Sequence, residues 1–181
     1  MPLFLPPTAL DLRQLAREGG ALAGQAPAAA FERLTEGGTA EGGLLVRWTA
    51  SAEWRPVVGG ADQLWLRLTA DGHVPQVCQR CLSPFWQPVA LERWFRFVAD
   101  EATAEAQDED SEEDVLAFVP RFDLQSLVED ELLLALPLVP MHEPDCPEPV
   151  QLTAGDLPEA AEPEKQNPFA ALATLKTKRE P

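Results

Sequence analysis

The sequence predicts an α+β fold: an antiparallel β-sheet, barrel-like if it closes, packed with a few helices. Three observations predict it. The apolar period changes from about 3.6 residues to 2 near residue 44. Several alternating segments then follow too closely for crossover helices, which argues for antiparallel pairing. A well-capped amphipathic helix comes after the last of them. The organisation read from this is one α+β domain over residues 1–150, carrying an acidic mobile loop at 100–114. An irregular tail over 151–181 ends in a short helix.

Taken in order, residues 8–17 read as a helix. Thr8 is its expected cap, Leu12, Leu15 and Ala16 recur at helical spacing, and Gly19-Gly20 stop it. A second helical fragment is expected near residues 28–34. LLVRWTA (44–50) and QLWLRLT (63–69) read as strands, with Leu64, Leu66 and Leu68 on one face and Trp65 and Arg67 on the other. Asp71-Gly72 fits a tight hairpin turn leading into HVPQVC (73–78). VALERWFRFV (89–98) is a further strand, apolar and aromatic on one face. Residues 100–114 are rich in carboxylates and contain no cation, which opposes collapse and predicts a mobile loop. The glycine and spacing of an EF-hand are absent there. VLAFV (115–119) resumes strand character. Residues 123–136 form the best helix, with Asp123 as N-cap, a stripe through Leu124, Leu127, Val128 and Glu131, and Pro137 ending it. Beyond His142 the chain turns Pro-, Glu- and Ala-rich, before a last helix opened by Asn167-Pro168.

Charge narrows the function. There are 14 Lys and Arg against 30 Asp and Glu, a formal net charge of -16. Such a chain repels phosphate backbones and attracts a basic partner with strong salt dependence. The plainer reading is that the charge keeps the protein dissolved. MPLFLPPTALDLRQL lacks a basic segment followed by an apolar run, and no stretch approaches the roughly 20 apolar residues of a membrane span. A cytoplasmic protein with reduced thiols and no membrane partner is expected.

The three cysteines define the sharpest candidate site. VCQRCLSPF holds Cys78 and Cys81 at the spacing one metal ion bridges, and MHEPDC adds His142 and Cys146 about 60 residues downstream. Three thiolates and one imidazole make a donor set typical of closed structural zinc sites. The alternative is that these cysteines are small buried hydrophobes. A thioredoxin-type redox pair would open a helix in a parallel βαβ unit, whereas Cys81 precedes Leu82-Ser83-Pro84 among antiparallel strands. No phosphate-binding loop or nucleophile elbow is present. Glu129, Asp130 and Glu131 are consecutive on a helix and diverge, so they form no acid–base pair. The sequence does not read as an enzyme. Trp48, Trp54, Trp65, Trp86 and Trp94 read as core or partner-facing packing, with a base-stacking platform as the alternative.

Three landmarks recur in a known order. They are Cys78-Gln79-Arg80-Cys81-Leu82; the run from Asp123-Leu124 through Glu129-Asp130-Glu131 to Pro140, with His142 and Cys146; and Asn167-Pro168-Phe169-Ala170-Ala171-Leu172. In these the chain resembles the bacterial YceD-like family, the large ribosomal RNA subunit accumulation proteins. The resemblance implies a non-enzymatic role in synthesis, processing or stability of the large-subunit (23S) ribosomal RNA. It also implies genomic association with a large-subunit ribosomal protein. No catalytic residue is carried over. The expected partner is a basic large-subunit ribosomal protein or pre-ribosomal particle, attracted by the acidic loop and the Glu129, Asp130 and Glu131 face, with ribosomal RNA met indirectly. Cys78, Cys81, His142 and Cys146 would hold the sheet to the later segment, with or without zinc. The alternative is an RNA-binding module using Arg80, Arg93 and Arg96 with Trp86 and Trp94. A metal-dependent nuclease would need clustered carboxylates, which the helix order does not supply.

Overall fold

The computed structural model describes residues 4–35 and 44–147. Five strands, β1 (Ala21–Pro27), β2 (Leu45–Arg55), β3 (Gln63–Val77), β4 (Pro84–Val98) and β5 (Asp114–Ala117), lie side by side in chain order. The sheet is open and does not close into a barrel. The first four strands are antiparallel neighbours. Helices α1 (Leu12–Arg17), α2 (Glu32–Thr35), α3 (Glu101–Asp108) and α4 (Leu124–Leu134) complete the fold, with a 3-10 turn at Ala28–Ala30. No helix among the described residues is long and apolar enough to cross a membrane.

The period-2 pattern sets the layers. Val46, Trp48, Ala50 and Ala52 on β2, and Leu64, Leu66, Leu68 and Ala70 on β3, are buried on one face. Phe95 and Phe97 extend that face onto β4. Leu12 of α1, Phe31, Leu34 of α2, and Leu124, Val128 and Leu132 of α4 pack against it. Fully burying each large apolar side chain contributes about 1.5–3 kcal/mol, so this face is what holds α4 to the sheet. The opposite face carries Arg47, Arg55, Trp65, Arg67 and Trp94 and stays partly solvated. Asp123 caps α4 as its residue type demands, accepting from Ser126 N at 2.9 Å.

Several expectations are corrected. The first helix is capped by Asp11, not Thr8, because Leu10 is drawn into a bridge with Phe122 and only the residues beyond it can coil. β1 is an unexpected strand: its Ala-rich sequence carries little intrinsic β preference, and pairing along β2 imposes the extended form. No hairpin turn forms at Asp71-Gly72, and β3 runs through it. Gly72 instead lets β2 approach closely, since a Cβ there would stand 2.9 Å from Leu45 O, and Asp71 pairs with Arg47 across the strands. The reversal falls at residues 78–83. β5 pairs parallel to β4, because residues 99–113 form a crossover.

That crossover contains α3, where a mobile loop was expected. Asp100 caps it, accepting from Thr103 N and Oγ1 at 2.9 and 2.8 Å, which holds the Asp100 carboxyl below its usual range. The cation missing from the segment arrives from β4. Buried Arg96 donates to Glu113, Gln107 and Ser111 at 2.6, 2.6 and 2.8 Å. The irregular tail and the helix expected after Asn167 lie outside the described residues.

Candidate metal centre

The long β3–β4 hairpin projects its tip, residues 78–83, beyond the core. Cys78 N donates to Ser83 O at 3.0 Å and Leu82 N to Cys78 O at 2.8 Å, folding the tip into a tight knuckle. Leu82 adopts a left-handed backbone, φ 60°, a conformation a branched side chain takes only when its surroundings require it. Pro137 ends the helical run after α4, and the chain returns to this tip, where Gln79 N donates to Pro140 O at 2.9 Å. Two distant pieces of sequence are thereby joined.

Their junction brings all four predicted ligands together: one donor atom each from Cys78, Cys81, His142 and Cys146 lies within 4.8 Å of every other. Cys78 and Cys146 sulfurs are 3.8 Å apart, and Cys81 Sγ is 3.5 Å from His142 Nδ1. Four ligands around a tetrahedral ion with metal–sulfur bonds of about 2.3 Å stand roughly 3.8 Å apart. The three thiols are unbridged, Cys78 is buried, and the Phe85 ring lies 4.6 Å from that of His142. Soft sulfur and imidazole donors suit a zinc-like ion and not magnesium or calcium.

Electrostatics favour a thiolate at Cys78. Burial alone would push its thiol up, but backbone N–H groups of Cys81, His142 and Arg80, with the His142 side chain, bring it down to about 5. Burial and the neighbouring Cys81 and Cys78 thiols raise Cys146, against the pull of Arg80. Arg80 was not expected here. Its Nε donates to Cys146 Sγ at 3.1 Å and its Nη2 to His142 O at 3.0 Å. Its place between the cysteines of Cys78-Gln79-Arg80-Cys81 was the available signal.

The remaining candidates do not converge. Glu129 and Glu131 are buried, not part of one exposed acidic face. Glu129 accepts from Arg33 N at 2.7 Å and Arg33 Nε at 3.2 Å, locking α2 to α4, and Asp130 meets the same guanidinium at 2.5 Å. Glu131 stands 3.5 Å from Arg93, and burial first, then Asp114, raise its carboxyl against that cation. Among the three, Asp130 keeps substantial exposure. The Arg80, Arg93 and Arg96 set is likewise divided: Arg80 covers the cysteines, Arg93 pairs with Glu131 and Arg96 is buried under α3.

The raised Glu131 carboxyl has a measurable consequence. A carboxyl whose folded pKa exceeds its unfolded one costs stability when ionised, and that cost disappears as pH falls through the folded value. Glu131→Gln is therefore expected to raise the stability slightly at pH 7, by less than about 1 kcal/mol for this partly solvated pair, and with it the melting temperature. The gap should close on acidification in paired thermal melts. A variant less stable than the parent at pH 7 contradicts the assignment.

An open α+β sheet whose hairpin tip and post-helix segment share a three-thiol, one-imidazole cluster is the class of scaffold to which the chain belongs. Within it, residues 66–176 match the family model described as large ribosomal RNA subunit accumulation protein YceD, and the chain belongs to that family. A Haemophilus influenzae protein described as large ribosomal RNA subunit accumulation protein YceD is 43% identical over 103 residues. The match takes in 56% of this chain and 59% of that relative's length. No solved structure matches the chain.

Proposed function

We propose that the protein is a non-enzymatic factor that promotes accumulation of large-subunit ribosomal RNA by engaging basic ribosomal proteins or large-subunit precursors. The observation that carries this is the net charge of -16 on a member of this family. Ribosomal RNA is a polyanion, so its direct capture by such a chain is opposed, while a basic protein bound to RNA is attracted. The acidic rim from α3 to β5, with Glu101, Glu105, Glu109, Asp110, Glu112 and Asp114 exposed, carries a concentrated part of that charge. The cytoplasm is the compartment this role implies. Sedimentation of the tagged protein from gently lysed cells tests the contact. Co-migration with large-subunit precursors at low salt, lost at moderate salt, is the expected result. Protein remaining at the top of the gradient at both salts overturns a particle-bound role.

The same reading assigns one zinc ion to Cys78, Cys81, His142 and Cys146 as a structural staple between the β3–β4 tip and the chain after α4. Arg80 is a positioning residue for it, neutralising the excess thiolate charge and holding the carbonyl of His142. Arg80→Gln is expected to weaken zinc affinity by about 10–100-fold with one-to-one loading preserved at saturation. Competition against a chelating dye reads this, and an unchanged affinity contradicts the role.

A further inference from the structure

On the solvated face of the sheet, Trp65 and Trp94 sit on adjacent strands in diagonal positions, since Trp65 is opposite Arg96 and Trp94 opposite Arg67. Their rings meet edge-on, with centroids 6.4 Å apart at 72°. The guanidinium of Arg55 lies over both, 4.2 Å from the Trp65 centroid and 4.1 Å from that of Trp94. The two indoles therefore already form a guanidinium seat, held by the attraction of a cation for the electron-rich ring face.

These residues open into a cavity of about 390 Å³ whose far wall is acidic, contributed by Glu112 and Asp114 where β5 begins. The other nearby cations are paired with carboxylates: Arg67, which also lies 5.7 Å from the Trp94 centroid, with Glu92 at 2.7 Å, Arg96 with Glu113 at 2.6 Å, and Arg93, which lines the cavity, with Glu131 at 3.5 Å. Glu112 and Asp114 have no cation partner among the described residues. The cavity thus offers aromatic faces and unneutralised carboxylates together, a combination that admits a cationic side chain and repels a phosphate.

We propose that this cavity is a receptor for an arginine side chain of a basic partner protein, with Arg55 the resident occupant that the incoming guanidinium displaces from the indoles. The inference rests on the basic-partner reading above and supplies its contact surface. Glu53, on the same strand, accepts from Arg55 Nε at 2.5 Å while Arg55 is seated on the indoles, and keeps that contact when the guanidinium leaves them. The partner's arginine then bridges the indoles to Glu112 and Asp114. Single-stranded RNA is the disfavoured occupant, because its phosphates would face the carboxylates that close the cavity.

The test uses the full chain and a labelled, end-capped dodecapeptide alternating arginine and glycine, with its neutral citrulline counterpart as control, by fluorescence anisotropy. The arginine peptide is expected to bind and the citrulline peptide to fail. Trp94→Leu should weaken binding about tenfold. The doubly substituted Glu112→Gln, Asp114→Asn protein, altered only on the solvated rim, should weaken binding and flatten its salt dependence. Arg55→Gln should tighten it, the sign that separates a displaced occupant from a residue that itself grips the ligand. Equal binding by the parent and every variant overturns the receptor while leaving a basic partner intact. A parent that ignores the arginine peptide but binds labelled oligouridylate through Trp94 overturns both.

Discussion

Cys81→Ser is expected to reduce bound zinc from one ion per chain to near none and to lower the melting temperature by roughly 10 °C. The size follows from linkage: free zinc about 1,000-fold above its dissociation constant stabilises the folded state by about 4 kcal/mol, and a domain of this length shifts by some 2–4 °C per kcal/mol. The damage should be local. Cys81 sits at the tip beyond the paired residues of β3 and β4, so the Leu66 and Phe95 layer keeps its packing. The variant should therefore still unfold cooperatively, and chelation of the parent should reproduce its melting curve. Metal-free parent protein with an unchanged curve contradicts the staple.

Trp48→Ala is expected to act on the whole fold, costing about 3–5 kcal/mol in denaturant titration. Trp48 is among the largest fully buried side chains, and its Nε1 donates to Phe4 O at 3.0 Å, fastening the N-terminal segment over β1. Gly24 on β1 is shaped to it: a Cβ there would stand 2.9 Å from the indole and 2.5 Å from Phe4 O. Truncation leaves a cavity that the glycine cannot fill and removes the donor to Phe4. Zinc stoichiometry of the fraction that remains folded should be unchanged, since the hairpin tip lies elsewhere. A loss below about 1.5 kcal/mol would mean the sheet collapses around the gap.

Where the outcome depended on neighbouring residues, the sequence was readable. The alternation of QLWLRLT placed Leu64, Leu66 and Leu68 inside, and Asp123 capped the helix its position announced. The four metal-binding candidates were readable by residue type, although 61 residues separate Cys81 from His142 and only the fold closes that gap. What was hidden depended on partners distant in sequence. β1 is extended because β2 is beside it, and α3 is ordered because Arg96 reaches it from another element. Glu129 looked like part of a surface charge until Arg33 was brought to it from 96 residues away. The Arg55, Trp65 and Trp94 ladder was equally hidden, since strand register alone sets it on one face.

The role proposed for this chain is to sustain large-subunit ribosomal RNA. The most direct measurement is the ratio of large- to small-subunit ribosomal RNA in cells lacking the protein, with and without complementation. A ratio that falls in its absence, returns with the parent chain and returns incompletely with Cys81→Ser is the expected result. A ratio that does not change when the protein is removed contradicts it.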